Sequence, residues 1–268
     1  MLMKSVTTNN AIADDSDAIA YITASSNGYY ESVINSLFTN LKTQGLYSKI
    51  QAFYPFLGTT QAQHKWNAKN PLDTNAAFRL QFFGGGTHSN LGYQCNGTNA
   101  YANTFLVPSA VQNVNSNGLT ITVGTNNSAA NSDVIDIGAH NSVMQSSFIT
   151  TKNTNTNFGR ITRMNGGSIL QTGLNESRGI FSSTKQSSTI TKLIRNKENI
   201  ANGNSGGTLP NVALFIGTVN ISGRPHAMGW SNQRIQFTAI HEGLTDSEVV
   251  ALHTIIDNFE TAIGRKTW

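Results

Sequence analysis

Asp133, Asp136, Glu176 and Glu198 are the only acids between Asn75 and Trp230, and they pose the first chemical question. Glycoside hydrolysis needs two carboxyl groups about 5–10 Å apart, one acting as acid and the other as nucleophile or base. A strand that aims both into one cleft carries them at alternate positions. Asp133 and Asp136 stand three apart, which sends them to opposite faces of a regular strand, and there is no Glu-x-Asp-x-x-Glu array. The pattern argues against hydrolysis, and no catalytic residue is expected. Asn131, Asp133 and Asp136 also offer oxygen ligands for calcium in one loop-to-strand segment. Two carboxylates make a weak site, and a turn held by Asx hydrogen bonds accounts for the same residues. No metal is expected.

Six histidines, His64, His88, His140, His226, His241 and His253, form no His-x-His or His-x-x-x-His pair, so the spacing does not suit zinc. His88 stands between Thr87 and Ser89 after Gly84-Gly85-Gly86, where it either orders the loop or touches a ligand. The glycine run lacks the helix and Lys of a phosphate loop and reads as a bulge or a tight strand crossing. There is no Gly-x-Ser-x-Gly elbow and no dinucleotide fingerprint, so no cofactor is expected. Stacking chemistry is left. Trp66, Tyr93, Tyr101 and Trp230 are candidates for a sugar platform, with Asn and Gln side chains reading the hydroxyls. Packing in a core or a subunit interface accounts for Trp66 and Trp230 equally well. The candidate glycan-binding set is Trp66, His88, Tyr93 and Trp230.

Charged residues make up only 12% of the 268, against about 25% in an average soluble protein. The polar surface must come from Asn, Thr, Ser and Gln, which lose less than ions do when a contact strips their water. Such a surface suits close protein contacts and sugar binding alike. The net charge of +4 is spread without any Lys/Arg cluster, so no nucleic-acid groove is expected. Cys95 is the only cysteine, which excludes an intrachain disulfide. The stretch MLMKSVTTNNAIADDSD lacks the apolar core of a secretory signal, and no run of 18 or more apolar residues is present. Neither secretion by that route nor a helical membrane span is expected.

Helices are expected at both ends. Asp14 to Asp17 supply N-cap candidates, Asn27-Gly28 breaks the first helix, and Tyr29 to Gln44 carries Val33, Ile34, Leu37, Phe38 and Leu41 on one face. This helical hairpin, over residues 14–50, packs on its own domain or on a neighbouring subunit. Thr245-Asp246-Ser247-Glu248 is a capping box, followed by an apolar face through Val249, Leu252, Ile256, Phe259 and Ile263, and by Gly264 as a stop. From Ala52 to Ile240, short runs rich in Val, Ile, Thr, Phe and Tyr alternate with Asn/Gly/Ser turns about every ten residues, as in a sandwich or barrel. Candidate strands are 52–56, 78–82, 101–107, 119–123, 134–139, 144–149, 158–164, 179–183, 188–195, 212–219 and 234–240. The division expected is an arm and helical hairpin over 1–50 and a sandwich with its closing helix over 51–268.

Three stretches carry a family resemblance. The first is HKWNAKNPLDTNAAFRLQFFGGGTHSNLGYQCNGTNAYANTFLVPS, from His64 on. The second is the strand–turn–strand unit TKLIRNKENIAN with its corner at Arg195 to Asn199, where Asn196 replaces the usual glycine as the left-handed residue. The third is FTAIHEGLTDSEVVALHTIIDNFETAIGR. Together they resemble the laminin-G-like (concanavalin A-like) jelly-roll domains of tailed-bacteriophage structural proteins, while 110–178 matches only in style. The resemblance implies a mainly β, antiparallel jelly-roll sandwich with an N-terminal helical hairpin and a C-terminal helix. It also implies a non-enzymatic virion protein, capsid- or tail-associated, repeated on the particle or homo-oligomeric, made in the host cytoplasm and held by other virion proteins through residues 1–50. The alternative is an adhesin module that contacts host surface glycans.

Overall fold

The computed structural model describes residues 14–126, 134–152, 158–164, 167–172, 176–227 and 229–268. Its strands, in chain order, are β1 (Ile50–Tyr54), β2 (Gln81–Phe83), β3 (Thr87–Ser89), β4 (Gly92–Gln94), β5 (Tyr101–Asn103), β6 (Asn117–Val123), β7 (Ile137–Ser142), β8 (Gln145–Thr150) and β9 (Phe158–Met164). They continue with β10 (Gly167–Thr172), β11 (Gly179–Lys185), β12 (Ile190–Arg195), β13 (Glu198–Asn204), β14 (Phe215–Ile216), β15 (Val219–Ile221), β16 (Arg224–Pro225) and β17 (Arg234–His241). The helices are α1 (Ser16–Ser25), α2 (Glu31–Thr43), α3 (Gln61–His64), α4 (Pro108–Val111) and α5 (Asp246–Ala262).

Two sheets form a jelly-roll-like sandwich. The first runs β13-β12-β11-β6-β17-β4-β3, with β1 also paired to β17, and the second runs β10-β9-β8-β7-β14-β5-β2. Pairing is antiparallel except where β15 joins β7. The period of two decides what each sheet buries, and a register shift between Ile235 and Phe237 resets it along β17. On β17, Ile235 and Ile240 face the sandwich interior with Leu119, Ile121, Val123, Phe181, Ile137 and Ile149. Phe237 and Ala239 on the same strand face the other way, into a second cluster with Phe53, Ile180 and Ile194.

That second cluster is closed by helices. Tyr21 of α1, Ile34, Leu37, Phe38 and Leu41 of α2, and Leu252, Ile256 and Phe259 of α5 are buried against the outer face of the first sheet. The helical hairpin therefore packs on its own domain, and its residues share one core with residues beyond 50. Asp15 caps α1 by accepting from the Asp17 and Ala18 amides, and the expected capping box of α5 forms between Thr245 and Glu248. The end of α5 is pinned by a buried charge pair. Arg265, 2% exposed, binds Glu260 and donates to the carbonyls of Pro55, Phe56 and Gln236.

A polar chain ties α5 to the sheet. The Lys197 amide donates to His253 Nδ1 (2.9 Å), so His253 Nε2 carries that ring's proton and donates to Ser182 Oγ (2.8 Å). Ser182 donates to Thr120 (2.6 Å) and Thr120 to His241 Nε2 (2.8 Å). His241 Nδ1–H ends on the Glu242 carbonyl (2.6 Å). A fixed donor at one end and a fixed acceptor at the other allow one direction only, with both imidazoles neutral. The first donor belongs to the β12–β13 turn, where Asn196 and Lys197 are both left-handed (φ 47° and 79°), so the corner without glycine holds two residues in that conformation.

Candidate ligand-binding surface

Cross-strand register on the second sheet assembles a column of rings. Phe83 of β2 pairs with Tyr101 of β5, and Gln81 with Asn103, while Asn103 also pairs with Phe215 of β14. Directly paired residues share a face. Their neighbours Phe82, Ala102 and Ile216 point into the core, so Gln81, Phe83, Tyr101, Asn103 and Phe215 share the outer face. Phe83 stacks on Tyr101 (centroids 4.8 Å, planes 14° apart), and Tyr101 packs on Phe215 (4.8 Å) and Trp230 (6.0 Å). Phe215 is buried, whereas Phe83 ends the column on the sheet's edge strand and is 37% exposed. Partial burial raises the Tyr101 phenol, so it stays a neutral hydroxyl.

The surrounding loops hold this column by backbone bonds. Asn96 Oδ1 accepts from the amides of Thr98, Asn99 and Ala100, and Asn96 Nδ2 donates to the Gly84 carbonyl. Gly84 has φ +76° and sits so close that a Cβ there would lie 1.8 Å from the Asn99 carbonyl oxygen. The Gly97 amide donates to Ser231 O and the Ser231 amide to Gly217 O, which clamps the segment carrying Trp230. Beneath it lies Asp136, fully buried. Ser231 Oγ donates to one carboxylate oxygen (2.7 Å), and the Thr151 amide and hydroxyl donate to the other (2.8 Å each). Burial pushes the Asp136 carboxyl up, against those donors. Asp136 is an anchor under the surface.

The four residues singled out from sequence do not form one site. Trp230 is half-buried beside Tyr101, and its indole N–H donates to the Ala227 carbonyl (3.1 Å). Tyr93 is fully buried between Phe56, Phe82 and His88 and offers no ring face to a ligand. Trp66 packs half-buried against the helical core, with the Lys65 ammonium 4.6 Å from its ring centre. His88 lies on β3, half-buried, with Nδ1 3.0 Å from His64 Nδ1 and its ring against Phe82 and Tyr93. Tyr101 and Trp230 meet as platform candidates. Phe83 and Phe215 join them, and the sequence signal for both is their place in β-runs rather than any mark of exposure.

The described acids weighed for hydrolysis stand at different elements. Glu176 is held by Arg178, which keeps its carboxyl at about 2. Glu198 is on β13 of the other sheet. Asn131 and Asp133 lie outside the described residues. Among the described residues no three His, Cys, Asp or Glu side chains converge as a metal site, and no helix is long and apolar enough to cross a membrane.

Compared by sequence, the chain matches no protein-family model and no curated protein. Compared by structure, it is similar to domain 4 of AbnA, a GH43 extracellular arabinanase from Geobacillus stearothermophilus, solved in complex with arabinotriose. That likeness has 14% identity and a TM-score of 0.43, and covers 76% of this chain and 98% of that one. It is also similar to the receptor binding domain of botulinum neurotoxin C/D mosaic serotype, with 6% identity and a TM-score of 0.46, covering 78% of this chain and 51% of that one. A third is the Ruminococcus gnavus IT-sialidase CBM40 bound to α2,3-sialyllactose, with 12% identity and a TM-score of 0.34, covering 54% and 85%. The chain spans about half the length of the botulinum chain.

Proposed function

We propose that this protein is a non-catalytic binding module that holds a glycan on the outer face of its second sheet. The carrying observation is the ring column Phe83–Tyr101–Phe215 with Trp230 beside it, ending in an exposed ring at the sheet edge. Sugars lay their C–H faces on such rings, and the neutral amides of Gln81 and Asn103, on the same face, suit hydroxyls. The absence of turnover belongs to the proposal. Asp136 is sealed beneath the surface, Glu176 is engaged by Arg178, and Glu198 belongs to the opposite sheet.

A glycan array followed by calorimetry on the hits tests this reading. Phe83→Ala and Trp230→Ala should each weaken binding roughly tenfold, the equivalent of about 1.4 kcal/mol per ring. Trp66→Ala, placed against the helical core, should leave affinity unchanged. An array with no saturable binding, or affinities indifferent to both platform substitutions, would sink the proposal.

A second reading, a virion structural protein of a tailed phage, rests on the sequence resemblance. One structural observation favours contact with a protein neighbour. Val143 and Met144, at the tip of the β7–β8 hairpin, are 62% and 53% exposed. Adjacent exposed apolar side chains gain by burial in a partner. Particles assembled with Val143→Asp and Met144→Asp should then carry less of this chain, and normal incorporation would count against that contact.

A further inference from the structure

Two histidines adjoin the platform without forming part of it. His64, in α3, and His88, in β3, meet Nδ1 to Nδ1 at 3.0 Å. His64 Nε2 lies 3.1 Å from the Gly58 carbonyl, which only accepts, so Nε2 carries that ring's proton and Nδ1 is left with a lone pair. His88 Nδ1–H must be the group that donates across the pair. His64 is therefore neutral, and charging it would set two N–H groups against each other.

The surroundings offer a charge no relief. His64 is 2% exposed and edge-on to Phe56, and His88 is edge-on to Phe82 (4.5 Å) and tilted on Tyr93 (5.0 Å). The charged group that faces the pair is Arg265, itself a cation, bound to Glu260 at the end of α5. Tyr93 is the other titratable neighbour, and its buried phenol stays protonated. Lys65, next along from His64, is taken by Asp73. Burial holds His64 at about 3 and His88 at about 4, both below the ordinary imidazole value.

The same stretch of chain bears the platform's terminal ring. Phe83 is followed by Gly84 and Gly85, both left-handed (φ +76° and +75°), and then by β3. β3 is three residues long, lies at the edge of its sheet and pairs with β4 alone. The histidine pair is its side-chain tie to α3.

We infer that the His64–His88 pair is an acid-operated latch on the aromatic platform. Below about pH 6 its parting frees β3 and the glycine link and loosens Phe83 together with whatever sugar it holds. The regulation rests on the platform binding a ligand; the parting of the pair does not. Release exposes two imidazoles whose ordinary pKa is about 6.5. Linkage then favours the released state at about pH 4.5 by roughly 10²-fold through His64, with a smaller factor from the half-exposed His88.

Hydrogen exchange on the free protein decides the matter. From about pH 7 to about pH 4.5, amides of residues 81–89 should lose protection roughly 10²-fold beyond the intrinsic pH effect. His64→Gln keeps a donor for the Gly58 carbonyl and an acceptor for His88 Nδ1–H without a titratable nitrogen, and should keep protection while losing most of its pH dependence. His88→Gln, which keeps a donor for His64 Nδ1, should lose the smaller share that His88 contributes if His64→Gln unsettles α3. Unchanged protection in the wild-type chain, or an equal loss in the variant, overturns the latch. Glycan binding at the two pH values is a separate readout. Absence of binding at both would count against the platform, while exchange would still judge the pair.

Discussion

Acid should weaken this protein through the chain that joins His253 to His241. Both rings are fully buried and neutral, and burial holds them at about 3 and about 4. Once unfolded they regain an ordinary pKa near about 6.5. Below that value the unfolded chain binds more protons than the fold does. The stabilisation is thus complete above about pH 6.5 and is lost as pH falls toward the folded values. Between pH 7 and about pH 4.5 each ring accounts for about 2–3 kcal/mol, together about 5 kcal/mol of the 5–15 kcal/mol that holds a typical domain. Asp136, pushed up by burial, works in the opposite sense, so the number is best read from a variant. His253→Gln keeps one donor for Ser182 and one acceptor for the Lys197 amide without a proton to gain. Urea unfolding at the two pH values should show its stability falling by about 2–3 kcal/mol less than the wild type's. An equally steep fall in both proteins would refute the reasoning.

Two further outcomes follow from the packing. Arg265→Met leaves Glu260 buried without its partner and three carbonyls without their donor, and should cost about 3–5 kcal/mol in chemical unfolding; a loss under about 1 kcal/mol would mean that the pair is solvated. Removing residues 1–49 strips Tyr21, Ile34, Leu37, Phe38, Leu41 and Leu46 from the helical core. At about 1.5–3 kcal/mol each this is as large as the whole stability of a typical domain, so the truncated chain should show no cooperative melt, and a sharp transition would contradict the shared core.

The readings that succeeded rest on local stereochemistry. Thr245 and Glu248 announce their helix because the capping box is a four-residue event. The corner at Asn196 turns without glycine because Asn tolerates the left-handed region, and the Asn196 side chain accepts from the Ile180 amide in return. The readings that failed depend on partners distant in sequence. The corner from Arg195 to Asn199 is drawn too wide because Asn196, Lys197, Glu198 and Asn199 are poor strand formers, yet β13 already begins at Glu198, which pairs with Arg195 of β12. The run 212–219 looks continuous but breaks at Gly217, whose φ of +91° lets the chain pass over Cys95 and Ala100. Tyr93 looks like a platform ring because a three-residue strand cannot reveal which face is buried; only its place between Phe56, Phe82 and His88 settles that. Phe83 was invisible for the converse reason, since its exposure follows from β2 being the sheet's edge.

The coverage of the two sheets explains why the proposed binding surface falls where it does. A sandwich has two outer faces, and each either finds a cover or meets water. On the first sheet, β1, β11, β12 and β17 send Phe53, Ile180, Ile194 and Phe237 outward, and α1, α2 and α5 cover them. That face is spent on stability. On the second sheet the outward residues at the β2 end are Gln81, Phe83, Tyr101 and Asn103, which no helix among the described residues covers. Rings left at an uncovered sheet edge give the fold little, because their burial is incomplete. Phe83 could be a polar residue at small cost to stability, so its apolar ring is better accounted for by what lands on it than by what lies beneath it. Trp230 follows the same logic, being held in place by the Ser231–Asp136 anchor while its own ring stays only half-buried.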